Sequence, residues 1–574
     1  MARFGGSQTS EHAVTMRALP GKRWIEPSYD LPGDGLAEYS PVERAILAGR
    51  GVRTDQQAEQ FLSKRYAGAT EPFLLTDMQA AIERLQAARH LGQKVVVYGD
   101  YDADGVTATV LLYEVLQSQG FDVGWYIPDR FEEGYGLNAD AMARLRADGA
   151  NLVVSVDSGI RSLEAVGVAN SKGLDVIVTD HHLPGDVLPP ALAVLNPNRQ
   201  GDNYPFKGLS GVGVAFKLAQ GFLGSGGVEN QTLLDLVAVG TVADLAPLTE
   251  ENRQLVAAGL ERLNSETRPG LRALAEHAGV VAGRITANSI GFSLAPRLNA
   301  AGRLAKAGEA VELLLAKSAP EAWARAGALD QLNRERQQLT SDMLERAREI
   351  ATSGQMVENL IVAIDPTFHE GVVGLIAARL VDEFYRPALV AREEGESIRG
   401  SARSIPEFHI TRALEECSGL LDRFGGHAGA AGFGLVSENW EAFLKRLDGI
   451  AGEALREKDL RPSLSIDAVV DFELLTDGMM DFIDRLEPCG QANPHPVFAT
   501  RHVSVLSKRT VGGGRRHLKL AVRQADRIFE VIGFNMGDQV EAMPATVDLA
   551  YRLERNEFRG VVTLELVLQD FRLD

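Results

Sequence analysis

Residues 95–108 read VVVYGDYDADGVTA, a β-branched apolar run that breaks into three aspartates, Asp100, Asp102 and Asp104, on alternate positions. Carboxylates that close repel one another and raise each other's pKa unless positive charge compensates. The spacing mimics the opening of an EF-hand calcium loop, but the twelfth position, which must carry a bidentate Glu, is Leu111. The flanks also read strand then helix, where an EF-hand needs a helix on both sides. Helix capping accounts for one Asp and leaves the others unexplained. The stretch therefore reads as the end of a buried strand that binds a divalent cation and leads into a helix.

The same construction recurs downstream. From about residue 76 to 260, KVVVYG, DVGWYIP, NLVVSVD and LDVIVTD alternate with helical or turn-rich text, which predicts a mainly parallel sheet covered by helices. Ligands of such sheets sit beyond the carboxyl ends of the strands. Three of the four runs end in carboxylates: Asp100, Asp157 and Asp180. VTDHHLPG adds His181 and His182, and imidazole is an ordinary ligand for manganese or zinc. An isolated His pair fits equally well with one ring bonded to backbone and the other in solvent. Here Asp157 and, in AVGTVADLAPL, Asp244 also lie in apolar contexts where a carboxylate is costly without a partner, and a metal is a partner for all of them.

Residues 1–75 read as an extended start followed by two short helices, SPVERAILAGR and DQQAEQFLSKR. Residues 76–310 form the first α/β domain, and 311–355 carry a long connecting helix, charged and poor in Gly over 320–352. A second, smaller α/β domain follows over 356–460, with HEGVVGLIAARLVDEF as its clearest helix. Residues 461–574 switch to short alternating strands, the signature of an antiparallel sandwich or small barrel.

A chain of 574 residues supports several domains, each with its own core, and no apolar run approaches a membrane span. The first thirty residues lack a secretory apolar core, so a cytoplasmic location is expected. Only two cysteines, Cys417 and Cys489, are present, far apart in sequence, which argues against both a disulfide framework and a Cys-based zinc site. A net charge of −19 argues against diffuse binding of a polyanion, so any nucleic-acid contact must be local. One such locality is 499–525, where Arg501, Lys508, Arg509, Arg515, Arg516, Lys519 and Arg523 occur without an acid; a solvated strand face and a phosphate-binding face explain it equally on charge alone.

YGDYDADG, SVDSG, TDHH and GTVADLAPL resemble the four motifs of the DHH phosphoesterase superfamily. YIPDRFEEGYGLN, LSGVGVAFKL, APRLNAAGRL, GSARS, FGGHAGAAGFG and EPCGQANPHPVF narrow the resemblance to its bacterial branch of single-strand-specific 5′ to 3′ DNA exonucleases. The resemblance implies a parallel-sheet DHH domain, a DHHA1 domain and an OB-fold. It implies that Asp102, Asp104, Asp157, His181 and Asp244 hold two divalent cations, with Asp157 as the bridge and Asp100 as a further ligand or an orienting group. His182 would face the substrate phosphate, and Asp180 would orient a ligating imidazole. The oxygen-rich ligand set favours manganese, with magnesium possible, over zinc.

Through the same resemblance, Ser401, Arg403, Gly425, Gly426 and His427 would grip a terminal 5′ phosphate, with Arg130, Arg297 and Arg303 as further phosphate contacts. For FGGHAGAAGFG alone, a tight packed turn is an equal reading. Arg515, Arg516, His517 and Lys519 would form a strand-guiding hairpin on the OB-fold, with Phe498 as the nearby ring. The implied setting is DNA repair, recombination and mismatch correction by a monomer, beside a helicase and a single-strand-binding protein. An oligoribonuclease or nucleotide phosphatase of the same superfamily is the alternative for short substrates, and the extra β-domain tells against it. A pure single-strand-binding protein would not need the carboxylates.

Overall fold

The structure, a computed structural model, describes residues 21–27, 34–63, 70–130, 132–134, 136–224, 231–353, 357–558 and 560–573. The extended N-terminal start, up to residue 20, lies outside the described residues. The two short helices form at Pro41–Gly49 and Asp55–Leu62, capped by the Ser40 and Thr54 hydroxyls.

The valine-rich runs build an all-parallel sheet of β1 (Lys94–Tyr98), β2 (Asp122–Tyr126), β3 (Leu152–Val156), β4 (Asp175–Thr179) and β5 (Ala193–Leu195), in the order β2-β1-β3-β4-β5. Three-residue β5 is too short to show a strand pattern in the text. Every residue of β3 is buried, because helices cover both faces and each face takes alternate side chains. Val95, Val97 and Val154 enter one core, while Val96, Tyr98 and Val153 enter the other. On the first face, α1 (Ala103–Ser118), α2 (Gly211–Leu223) and α3 (Leu234–Ala243) pack on one another. These helices are apolar nearly all round, as full burial requires. α4 (Glu250–Ser265) lies against α3.

The chain divides into two compact units. Residues 27–334 and 467–569 make one, and residues 335–466 are the bulk of the other. The charged stretch forms a single 35-residue helix, α5 (Ala319–Ser353), whose first part belongs to the larger unit and whose remainder belongs to the smaller. The smaller unit carries β6 (Ile361–Ile364), β7 (Ala388–Glu394), β8 (Ser397–Arg403), β9 (Arg423–His427) and β10 (Ala430–Val436), in the order β9-β10-β8-β7-β6. Only β6 and β7 pair in parallel.

After residue 467 come β11 (Ala468–Val469), α6 (Asp477–Arg485), β12 (Phe498–Val511), β13 (His517–Gln524), β14 (Arg527–Gly533), β15 (Thr546–Phe558) and β16 (Val561–Leu573). They pair as β12-β13-β14-β16-β15, and β15 returns to β12, so this is a closed barrel and not a sandwich. Closure leaves no long edge to template aggregation. The α/β fold class with a C-terminal β-barrel is therefore the one expected.

Within the larger unit, one side chain ties the barrel to the parallel-sheet body. Arg253 on α4 donates to the carbonyls of Phe61 (2.9 Å), Leu486 (2.7 Å), Pro488 (3.0 Å), Glu487 (3.1 Å) and Arg485 (3.2 Å). Four of those carbonyls lie at or just after the end of α6, where helical backbone leaves acceptors unsatisfied. Arg50 adds bonds to Asp467, Asn493 and Pro494. The guanidinium of Arg253 is buried, with 4 % of the residue exposed, and lies 4.2 Å from the Phe61 ring centroid. Only a planar fork of donors fits so many acceptors. Arg253→Lys should therefore lower stability almost as much as Arg253→Met, by about 3 kcal/mol or roughly 3–4 °C in a thermal melt of a unit this size. A Lys variant that melts like wild type would refute the fork argument.

Candidate metal centre

β1, β3 and β4 end side by side, so Asp100, Asp157 and Asp180 emerge at one edge. Asp102 sits at the N-cap of α1 and accepts from the backbone N–H groups of Asp104 and Gly105, each at 3.0 Å. One aspartate is thus the cap, and the flanking two turn elsewhere. The Asp104 carboxylate meets the start of α2, accepting from Gly211 N–H at 2.7 Å and Val212 N–H at 2.9 Å. A helix N-terminus is a natural seat for negative charge. Asp244 occupies the opposite kind of place, the C-cap of α3, where the helix dipole opposes a carboxylate.

These groups converge. Ligand atoms of Asp104, His181 and Asp244 lie within 4.8 Å of one another, as do those of Asp157, His181 and His182, and those of Asp100, Asp102 and Asp157. His181 Nε2 stands 3.2 Å from Asp157 Oδ1 and 3.7 Å from Asp244 Oδ2. The walls are glycine where space runs out. A methyl at Gly211 would collide with the Asp157 carboxylate, and one at Gly240 with Thr107 and the Asp104 carboxylate. Asp157 itself holds φ +57°, a left-handed backbone that non-glycine residues seldom adopt. Such strain persists where the surroundings over-determine it, as at functional sites.

The electrostatics demand a cation. Burial, then the charges of Asp104, Asp102 and Asp100, push the Asp157 carboxyl well above its ordinary range. Asp100 is pushed up likewise, by burial and by Asp102. Burial and Asp102 raise Asp104 to about 7, and burial with Asp104 and Asp102 raises Asp244 to about 9. Burial and the neighbouring His182 hold His181 down to about 4, so it is the neutral imidazole that ligates metals. Asp157 Oδ1, Asp100 Oδ1 and His181 Nε2 are all buried without a hydrogen bond. Orphaned oxygens and an aromatic nitrogen aimed into one pocket fit divalent cations, and the oxygen-rich set suits manganese or magnesium.

Asp180 plays a part other than the expected one. Its carboxylate accepts from Ile160, His181 and His182 N–H groups and from His182 Nδ1 at 2.7 Å, so it orients His182 and not the His181 ring beside the acids. Burial works to lower the His182 pKa, but the bond to Asp180 and the surrounding acids lift it to about 9. His182 is a held imidazolium.

Comparison with known proteins follows the same outline. Residues 94–241 match the DHH family, N-terminal domain; 358–453 match the DHHA1 domain; and 466–570 match the RecJ OB domain. The chain is 38% identical over 559 residues to the single-stranded-DNA-specific exonuclease RecJ of Dickeya dadantii, covering 92% of this chain and 95% of that one. To the enzyme of the same name from Escherichia coli it is 36% identical over 582 residues, covering 96% and 98%. The chain belongs to the RecJ family. The crystal structure of RecJ in complex with Mn2+ from Thermus thermophilus superposes with a TM-score of 0.82 at 32% identity, covering 96% of this chain and 80% of that one. The corresponding Mg2+ complex gives 0.77 at 31% identity, covering 96% and 78%.

The remaining candidate residues of this RecJ-family chain fall in separate places. Arg130 lies over the Tyr101 ring at 5.0 Å in the DYDAD loop, and Arg303 also acts electrostatically on Tyr101. Arg297 is taken by Asp330, at 2.9 Å, and by the Ser293 carbonyl, which gives its guanidinium a bracing role in place of the expected phosphate contact. The APRLNAAGRL helix instead supports the loop through Asn299, which accepts from Ala103 N–H at 2.7 Å, and through Gly302, packed on the Tyr101 carbonyl. In the smaller unit, Ser401 and Arg403 share β8 and are joined at 2.8 Å; Arg403 pairs across to Ala430 of β10, which pairs with His427 of β9. Gly425 and Gly426 precede His427 on β9. Gly374, not anticipated, leaves room for the Arg403 guanidinium.

On the barrel, Arg515 and Arg516 sit in the β12–β13 turn, with His517 at the start of β13. Two expectations are corrected there. Lys519 points at Glu565 and Glu530, so its ammonium is already neutralised. Phe498 is fully buried against Tyr551 and offers no platform. The exposed ring is Phe534, 57 % exposed and 5.4 Å from His517.

Two outcomes follow from the clustered acids. Acids whose folded pKa is raised stabilise the fold at low pH and lose that contribution as pH climbs from their ordinary range through the folded values. Asp104 and Asp244 set that window, reaching to about 7 and about 9, and His182 acts in the same sense. In chelator, the melting temperature should fall from pH 6.5 to 9, and the gain from added manganese should widen. Asp157→Asn, which tolerates the left-handed backbone, should melt higher than wild type in chelator yet lose most of the manganese gain. A flat pH profile in chelator would contradict this electrostatic reading.

Proposed function

We propose that this chain hydrolyses single-stranded DNA from its 5′ end, with Asp102, Asp104, Asp157, His181 and Asp244 holding two divalent cations, manganese in preference to magnesium, and Asp100 completing the pocket. The observation that carries the reading is the convergence of orphaned Asp100, Asp157 and His181 atoms on one buried pocket in a RecJ-family chain. When bound, such cations activate water and neutralise charge at the scissile phosphate. The chain's own groups do the positioning. Asp104 is fixed by the α2 N-terminus, and His182, charged and clamped by Asp180, presents its Nε2 proton to a phosphate oxygen. Arg130, braced on Tyr101, with Arg303 nearby, adds positive charge beside the acidic pocket.

Strand-end choice is assigned to Ser401, Arg403, Gly426 and His427, whose arginine fork and glycine backbone suit a terminal phosphate. Arg515, Arg516 and the Phe534 ring are assigned to the incoming strand, where charge and stacking together guide bases of any sequence. By this reading residues 76–310 cleave, 356–460 select the end and 461–574 guide the strand. No helix among the described residues is long and apolar enough to cross a membrane. The reading places the protein in the cytoplasm as a monomer in repair and recombination, acting on single strands exposed by a helicase alongside a single-strand-binding protein.

The test is degradation of end-labelled single-stranded DNA, with and without a 5′ phosphate, in manganese and in chelator. Release of nucleotides from the 5′ end in manganese alone is expected; digestion from the 3′ end, or of duplex at an equal rate, overturns the proposal. Asp157→Ala should lower turnover on the order of a thousandfold while leaving strand affinity nearly intact. Phe534→Ala should raise KM more than it lowers kcat, in line with about 1–3 kcal/mol per stacked base.

A further inference from the structure

A second set of metal-binding donors lies outside the acidic pocket, in the turn between α6 and β12. Glu487, Cys489 and His495 bring a carboxylate oxygen, a thiol sulfur and an imidazole nitrogen within 4.8 Å of one another. His495 Nε2 stands 3.4 Å from Glu487 Oε1. A tetrahedral zinc site separates its ligand atoms by roughly 3.3–3.8 Å, so the contact between His495 and Glu487 already matches.

The turn that carries them is held from several sides. Arg253 grips the Leu486, Glu487 and Pro488 carbonyls, and Asn493 donates to Leu486 and Pro488. Glu487 accepts from Cys489 N–H at 2.7 Å, which sets the carboxylate over the thiol. Pre-organised ligands lose little freedom on binding. The donors also have an entrance, a cavity of about 250 Å³ lined by Leu245, Leu248, Phe292, Gln491, Cys489 and His495.

We infer that Glu487, Cys489 and His495 form a binding site for a thiophilic divalent cation of the zinc class, separate from the oxygen-rich cluster. Three protein ligands hold the ion, and the fourth position faces the cavity. A thiolate and an imidazole select zinc over manganese or magnesium, whose preference is for oxygen. Binding is a simple exchange in which the Cys489 thiol gives its proton to solvent and the sulfur lone pair forms the metal bond, with no change of oxidation state. The same turn accepts from Leu248 N–H through the Gln491 carbonyl at 2.8 Å, four residues after Asp244. An ion here therefore fastens the junction between barrel and body next to the acidic pocket.

Cobalt(II) is the probe, because a cobalt–thiolate bond gives an intense near-ultraviolet charge-transfer band that oxygen and nitrogen ligands do not. Titration of the full chain should produce that band at one equivalent per chain, and zinc should bleach it. Asp157→Ala should keep the band, which separates this site from the proposed catalytic cluster. Cys489→Ser should abolish it, and Cys417→Ala, which removes the other thiol, should leave it unchanged. His495→Ala and Glu487→Gln, both half-exposed positions, should weaken cobalt binding roughly tenfold or more even if Cys489→Ser fails to fold. Absence of the band at saturating cobalt, its loss in Cys417→Ala, or unchanged affinity in both His495→Ala and Glu487→Gln would overturn the inference.

Discussion

Mutual repulsion among carboxylates shut away from water governs this protein. Burial raises the proton affinity of Asp100, Asp104, Asp157 and Asp244, and the charge of Asp102 adds to the rise at all four. The parallel sheet brings Asp100 and Asp157 together because the adjacent strands β1 and β3 end at the same level. The surrounding helices then exclude solvent. What remains is a pocket whose acids cost stability when their charges stand alone and cease to do so when a cation pairs with them, which is the physical basis of the function proposed above.

The frustration is partly relieved by backbone. The first N–H groups of α2 take both oxygens of Asp104, and Asp102 caps α1. Asp180 departs from Asp100, Asp104, Asp157 and Asp244. Burial alone would raise it, but the His182 ring and three backbone donors leave it below the ordinary range. Two chemically identical residues at the ends of neighbouring strands thus have opposite characters. One is a settled anion that steers an imidazolium, and the other waits for a cation.

Much of this was legible in the text because strand-ending acids interrupt apolar runs. DYDAD, SVDSG, TDHH and GTVADLAPL announce themselves by placing charge where burial is certain. What could not be read depends on partners far along the chain. Arg297 meets Asp330 and Lys519 meets Glu565, so an acid-free stretch of sequence is not acid-free in space. Phe498 begins a strand whose first three residues are all buried, and a ring's exposure cannot be read from its proximity to arginines. The duty of Asp180 turned on which of two adjacent imidazoles lies behind it, a matter of one rotamer. The glycines at 211 and 240 sat inside quoted motifs, but their purpose, clearance for Asp157 and Asp104, exists only once α2 and α3 are packed.

The larger unit is assembled from two stretches of chain, 27–334 and 467–569, separated by the whole of the smaller one. A ribosome adding about 5–20 residues per second needs on the order of ten seconds to pass from the first stretch to the second. During that interval Arg253 has no α6 carbonyls to grip, and the surface destined for the barrel faces water. Biosynthesis thus exposes a half-finished body to the cell's chaperones and proteases, and the last hundred residues act as a clasp that ends this vulnerable period.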